Sequence, residues 1–590
     1  MEKIWSLKEL YPSFESKEFT RDLKKFKELA DEYKEWVNRV SKEGEDLSKV
    51  LNDYIRYSQD LRYIGGRLGS FCSLNLSSDS SNAEASKNEE IIESIHSELA
   101  ESHAKIKEII GNIKDINKYI DNDEYLKEFK FFLNEIKNNQ KYMLTPKEES
   151  IFSKMANTGG NAWAKLKSNL ESGLMVEIDL NGEKKEMPLT MVRNLARHKD
   201  GNVRKVAYES ELKAYSKIDD AVAAALNEVK GQVITEAELR GYESPLDQAL
   251  KYGRLKRETL DAMLEAMKEY MPYFRKYLRR KAELLGYENG LPFYELFASV
   301  GEVPMEFSYE EAQKFVIENF YSFSEELGNL AETAFNNDWI DVYPRKGKRS
   351  GAFCSNLHYI KESRILTNFG GGLKDVITLS HELGHAYHGN CIQRANILNS
   401  RYPMPLAETA STFCETIVKK AAIKKASKEE AFVILETELQ GATQIIVDIY
   451  SRFLFEKEVF DRRRSGTLSS KELQEIMIRS QKEAYGEGLD QNYLHPFMWI
   501  CKSHYYRTGL SFYNFPYAFG LLFAKGLYAK YLEMGDSFVE IYERLLEVTG
   551  SLNIEDVTKL VNIDVEDISF WRSSLEVLKD DINKFIELSE

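Results

Sequence analysis

The chain has 590 residues and carries 80 Lys and Arg against 95 Asp and Glu, a formal charge of −15. That balance argues against a nucleic-acid binder, which needs a basic field to neutralise phosphates. With 43% hydrophobic and 30% charged residues it is too apolar for a disordered chain, and too long for one hydrophobic core, so a multi-lobed globular body is expected.

No run of about 18 apolar residues occurs, and the opening Met1-Glu2-Lys3-Ile4-Trp5-Ser6 lacks the apolar stretch of a signal peptide. A cytoplasmic protein with no membrane partner is the expectation. The five cysteines, Cys72, Cys354, Cys391, Cys414 and Cys501, are odd in number and never form a Cys-x-x-Cys pair. They read as reduced thiols, neither a disulfide framework nor a thiolate zinc site.

The first hundred residues repeat a helical pattern. Leu23, Phe26, Leu29, Ala30, Tyr33, Trp36, Val37 and Val40 share one face, and Leu61, Ile64, Leu68 and Phe71 continue the style. A period of two appears where Val176, Ile178 and Leu180 alternate with Glu177 and Asp179 before Asn181-Gly182, a hairpin-turn dipeptide. Ser-x-x-Glu then recurs at Ser308/Glu311, Ser427/Glu430 and Ser469/Glu472, each predicting a reciprocal helix cap. The fold class is therefore mostly α with one β-hairpin. A boundary near residue 195 divides a helical N-terminal lobe with the hairpin, residues 1–195, from a catalytic portion, residues 196–590. The main irregular stretch, from about Asp341 to Gly372, encloses the apolar segment Ile365-Leu366-Thr367-Asn368-Phe369 and ends in Gly370-Gly371-Gly372.

A helical run from Leu373 follows and contains His381-Glu382-Leu383-Gly384-His385. A spacing of four puts His381 and His385 about 40° apart on one face, a turn from each other, so both imidazoles can converge on one zinc ion. Glu382 lies beside them, placed to act as general base on water whose pKa zinc has lowered. By composition, at most ~0.02 such pentapeptides are expected by chance.

His388 cannot join both histidines on one ion, because residues seven apart on a straight helix are separated by about 10 Å. It reads as a packed or supporting residue. The third ligand is expected from another helix, and Glu408 offers a carboxylate in the small-residue run Ala407-Glu408-Thr409-Ala410-Ser411. Glu415, seven residues on, either accepts a hydrogen bond from a ligand imidazole or pairs with a surface lysine. Downstream, His504 to Gly520 form an aromatic cluster whose imidazole and phenols could donate to an oxyanion. In a chain with 33 Tyr and 31 Phe, such a cluster is more often core.

The segments His381-Glu382-Leu383-Gly384-His385-Ala386-Tyr387-His388, Pro405-Leu406-Ala407-Glu408-Thr409-Ala410-Ser411 and Gly351-Ala352-Phe353-Cys354 resemble oligoendopeptidase F, among the thimet oligopeptidase-like zinc peptidases. The resemblance covers the hairpin region and essentially everything from residue 195 onward. It implies one zinc on His381, His385 and Glu408, Glu382 as base, and a site lined by His504 and a tyrosine of the 512–517 stretch, with Tyr513 and Tyr517 as candidates. It also implies a mostly helical, two-lobed body with a deep substrate channel. The function expected is a zinc endopeptidase acting on short unstructured peptides, with the Ile365–Phe369 segment forming a strand whose edge pairs with extended substrate. The alternatives are a carboxypeptidase or dipeptidyl carboxypeptidase, with Arg507 as a candidate cation for the substrate C-terminus, or a catalytically inactive peptide-binding scaffold.

Overall fold

The computed structural model describes residues 3–43, 46–180, 182–301 and 305–590. Helices dominate, and the chain divides into two compact units, each assembled from three segments. Unit 1 comprises residues 1–146, 305–421 and 530–563; unit 2 comprises residues 147–304, 422–529 and 564–590. This partition records which segments cluster in space. Residue 195 falls within the 147–304 segment of unit 2.

In unit 1 the expected amphipathic faces form. The Lys17–Glu43 helix buries Phe26, Ala30, Tyr33, Trp36, Val37 and Val40, and the Leu47–Ser78 helix buries Leu61, Ile64, Leu68 and Phe71. Leu23 and Leu29 pack against the same core from its rim. Each fully buried side chain of this kind contributes about 1.5–3 kcal/mol, and that burial holds the helices together.

Five strands occur among the described residues: β1 (Met175–Leu180), β2 (Glu183–Pro188), β3 (Ile340–Asp341), β4 (Phe353–Leu357) and β5 (Glu362–Leu366). β1 and β2 form the expected antiparallel hairpin in unit 2, with Val176 opposite Met187 and Leu180 opposite Glu183. Val176 and Ile178 are buried while Glu177 and Asp179 face solvent, as the alternation requires. Of the turn dipeptide, Asn181 lies outside the described residues. Gly182 has φ +86°, and its N–H donates to Asp179 Oδ1 at 2.9 Å. All three Ser-x-x-Glu caps form reciprocally, at Ser308, Ser427 and Ser469.

The sheet of unit 1 has the order β3-β5-β4, which corrects one expectation. The apolar strand ends at Leu366, and it is the central strand, paired in parallel with β3 and antiparallel with β4. At Ile365 and Leu366 it has a neighbour on each side and offers no edge to a substrate there. Among the described residues β4 is paired on one side only. Asp341 on β3 is fully buried with Lys348 Nζ at 2.8 Å. Burial opposes its charge, but hydrogen bonds from Arg345, Lys348 and Ser78 hold its carboxyl below the usual range.

Unit 2 packs the Arg257–Leu284 helix against the C-terminal Ile568–Ser589 helix. It also buries ion pairs: Lys230 with Glu456 at 2.6 Å, Lys281 with Glu436 at 2.7 Å and Lys525 with Glu438 at 2.6 Å. Among the described residues no helix is long and apolar enough to cross a membrane.

Candidate metal centre

The Leu373–Ile392 helix begins where the three glycines end. Gly371 takes φ +96°, and Asp375 Oδ2 accepts the N–H groups of Gly370 at 3.0 Å and Gly372 at 3.1 Å. A carboxylate there also complements the positive end of the helix dipole. Two glycines on this helix allow close approach. A Cβ on Gly384 would stand 2.6 Å from both the Ala410 carbonyl oxygen and Ser411 Cα, and one on Gly389 would collide with the Asn356 side chain. Asn356, on β4, donates from Nδ2 to the His385 carbonyl at 3.2 Å. The motif helix is thereby held against both β4 and the segment that carries Glu408.

Glu408 sits in the turn just ahead of the Thr409–Lys425 helix, and its carbonyl accepts the Thr412 N–H at 3.1 Å. The structure brings three side chains together. His381 Nε2 and His385 Nε2 are 3.1 Å apart, and Glu408 Oε2 is 3.4 Å from the first and 3.5 Å from the second. Tetrahedral coordination with bonds of 2.0–2.1 Å places ligand atoms ~3.3 Å from one another, so these separations fit one zinc-sized ion. The donor chemistry fits as well. His381 Nδ1 lies 2.6 Å from Glu415 Oε1, so its proton belongs on Nδ1 and Nε2 presents a lone pair.

The electrostatics converge on a need for positive charge. Burial opposes protonation of His381, yet Glu415, Glu408 and Glu382 push its pKa up to about 9; burial and His381 push His385 down to about 4. Burial pushes Glu382 up to about 7, with Glu408 and Glu415 adding to it against His381. Glu382 is 5% exposed, and its Oε2 has no hydrogen-bond partner among the described residues. An acidic group of that strength, close to neutrality and free to bond, suits proton transfer.

Supporting contacts complete the centre. Glu415 meets both of its alternatives at once, because its Oε2 accepts from Lys419 Nζ at 2.7 Å. The Ser411 hydroxyl donates to Glu408 Oε2 at 2.8 Å. Neither Ser411 nor Lys419 was singled out from the sequence, although each follows its carboxylate at the helical spacing of three or four residues. His388 stays apart as expected: it is fully buried, stacked on Tyr402 at 4.1 Å, with Nε2 donating to Thr549 Oγ1 at 2.8 Å.

His504, Tyr513 and Tyr517 cluster within unit 2. The His504 and Tyr513 rings stack at 4.8 Å, the Tyr517 hydroxyl donates to the Tyr513 hydroxyl at 3.1 Å, and Arg507 lies over the Tyr513 ring at 4.9 Å. Burial pushes His504 down to about 4, helped by Arg452, Arg507 and Lys502, so its imidazole is neutral at pH 7.

A second cluster, Glu211, His495 and Cys501, also has its ligand-type atoms within 4.8 Å of one another, and the sequence reading missed it because the three lie far apart along the chain. Its donors are engaged. The Tyr215 hydroxyl is 2.9 Å from Glu211 Oε1 and 3.0 Å from Cys501 Sγ, Arg193 Nε is 3.5 Å from Glu211, and burial pushes the thiol up to about 12. His381, His385 and Glu408 are the better metal site.

Residues 194–577, well over half of the chain, match the model of peptidase family M3. The chain belongs to peptidase family M3. Residues 112–174 match a second model, described as Oligopeptidase F. Among curated relatives, Oligopeptidase PepF of Bacillus subtilis is 22% identical, covering 100% of this chain and 87% of that protein. Chromosomal oligoendopeptidase F of Lactococcus lactis subsp. cremoris is 26% identical over 69% of this chain and 68% of its own length. The fold of this M3 member is shared with a Chlamydophila abortus protein (TM-score 0.84, 21% identity, 100% and 98% of the two chains). It is shared too with oligoendopeptidase-F from Enterococcus faecium (TM-score 0.69, 19% identity, 96% and 99%).

Proposed function

We propose that this M3 peptidase is a zinc-dependent oligoendopeptidase that hydrolyses internal bonds of short unstructured peptides. The observation that carries the reading is the triangle of His381 Nε2, His385 Nε2 and Glu408 Oε2, with sides of 3.1, 3.4 and 3.5 Å, beside a Glu382 carboxylate whose Oε2 has no partner among the described residues. The names of its relatives support the substrate class. Zinc held by these three residues supplies a Lewis acid that polarises a carbonyl and acidifies water.

The remaining roles fall to the protein's own groups. Glu382 takes the proton from the attacking water and delivers it to the leaving amine, and its Oε2, without a hydrogen-bond partner among the described residues, is available for both steps. Glu415 fixes the His381 tautomer, and Asn356 fixes the backbone at His385. The free side of β4 is the proposed partner of extended substrate backbone, replacing the Ile365–Phe369 segment in that role. Main-chain pairing gives affinity with little demand on sequence. His504, Tyr513 and Tyr517 are proposed as hydrogen-bond donors to the developing oxyanion. The neutral His504 imidazole and the Tyr513 phenol, which accepts from Tyr517 and keeps its own proton, are suitable donors, Tyr517 donates once its hydroxyl turns from Tyr513, and the sequence resemblance supports the role. The catalytic portion is taken to be residues 196–590.

Mass spectrometry of the products from flexible peptides of varied sequence tests the reading. Cleavage at internal bonds is expected. Exclusive release of one or two C-terminal residues would move the assignment to a carboxypeptidase or dipeptidyl carboxypeptidase.

A further inference from the structure

Unit 2 contains a cavity of about 310 Å3 formed by residues 190–197, the Gly201–Tyr215 helix, the turn at 293–297 and residues 495–502. Its volume falls at the lower end of the range for sites that hold small organic ligands, about 300–1,000 Å3. None of the residues assigned to the metal centre lines it.

The charges around it are unevenly matched. Two cations are committed: Arg204 to Glu295, with Nε to Oε2 at 3.0 Å, and Arg193 to Glu171 at 3.4 Å and Glu211 at 3.5 Å. Arg197 and Lys502 are not, since neither has a carboxylate oxygen within 4.0 Å among the described residues. Arg197 instead lies over the Phe297 ring at 4.8 Å. Burial works against the charge of Lys502, and Arg452 and Arg193 add repulsion that Asp448 only partly offsets. Cations in such surroundings are stabilised by an incoming anion and repel a metal ion.

The rest of the wall is largely aromatic and includes His495. His495 is 2% exposed, packed against Phe293 at 5.1 Å and Tyr208 at 5.9 Å, and its Nδ1 has no partner among the described residues. Its Nε2 faces Glu211 at 3.8 Å, which favours the proton there. Two cations without a carboxylate partner and an aromatic wall together describe a ligand with a carboxylate and an apolar group.

We propose that this cavity binds a small carboxylate carrying an apolar side group, of the size of an N-acylated amino acid or a dipeptide. The carboxylate sits between Arg197 and Lys502, and the side group lies along Phe293 and Phe297. The proposal is independent of the metal centre.

Calorimetric titration of the full chain with N-acetylphenylalanine, and with its uncharged amide as control, tests it. The acid should bind with a millimolar or tighter Kd, the amide about tenfold more weakly. Lys502→Met should weaken the acid by a similar factor, and His381→Ala should leave its binding unchanged. Arg197→Ala, at an exposed position, carries the test if Lys502→Met does not fold. Equal binding of acid and amide, indifference to both cation variants, loss of binding in His381→Ala, or no binding up to about 10 mM would each overturn the proposal.

Discussion

His381 and Glu415 are joined by a 2.6 Å hydrogen bond from imidazole Nδ1 to carboxylate Oε1, so a residue two turns into the neighbouring helix dictates which nitrogen of His381 faces the metal. Removing the carboxylate frees the ring to rotate and lowers its basicity. Glu415→Ala should weaken zinc binding about 10- to 100-fold, measured by competition with a chelating dye. An affinity within about threefold of the parent would mean that packing alone orients His381.

Gly384 makes a different kind of prediction. Alanine is a better helix former by about 1 kcal/mol, so on propensity alone Gly384→Ala should stabilise the motif helix. Its Cβ would meet backbone atoms of Ala410 and Ser411 at 2.6 Å, and backbone cannot step aside as a side chain can. The variant should therefore lose both zinc and turnover while helicity by circular dichroism is retained. Parental zinc content and rate in Gly384→Ala would show that the two segments are not in the contact described.

How much of this was legible beforehand follows from the range of each signal. His381, Glu382 and His385 declare themselves because their spacing matches the helix period, and Glu408 because a carboxylate in a small-residue run needs a partner. The free edge was misread. Ile365 and Leu366 are apolar because β5 lies buried in the middle of the sheet, whereas β4, Phe-Cys-Ser-Asn-Leu, is half-buried and carries no alternating pattern. The assembly of each unit from three separated segments leaves no local trace either, since periodicity reports the face of an element and not its distant neighbour.

The aromatic cluster bears the most exposed assignment. A donor that strengthens as the carbonyl becomes tetrahedral acts mainly on the transition state, so its loss should lower kcat more than it raises KM. His504→Ala, Tyr513→Phe or Tyr517→Phe should reduce kcat about 10²- to 10³-fold wherever the group is such a donor, and Tyr→Phe keeps the ring packing. If all three variants fold, bind zinc and turn over within about threefold of the parent, the cluster serves the core alone.

Stability should depend on pH through His388. Burial, with help from His385, pushes its pKa down to about 3, below the ~6.5 of the unfolded chain. The neutral ring's contribution is therefore complete above pH ~6.5 and declines as pH falls from there towards the folded value, a loss on the order of 2 kcal/mol by pH ~5. His388→Gln removes this titration. The fall in thermal midpoint between pH ~7.5 and ~5 should be smaller in that variant than in the parent, and an equal fall would place the acid sensitivity elsewhere.

The most direct measurement is zinc content by mass spectrometry set beside peptide turnover for Glu382→Gln, His381→Ala and Glu408→Ala. The account predicts about one zinc per chain with turnover abolished in Glu382→Gln, since the base is not a ligand, and loss of zinc in the other two. Loss of zinc from Glu382→Gln, or retained zinc with activity in Glu408→Ala, would contradict it.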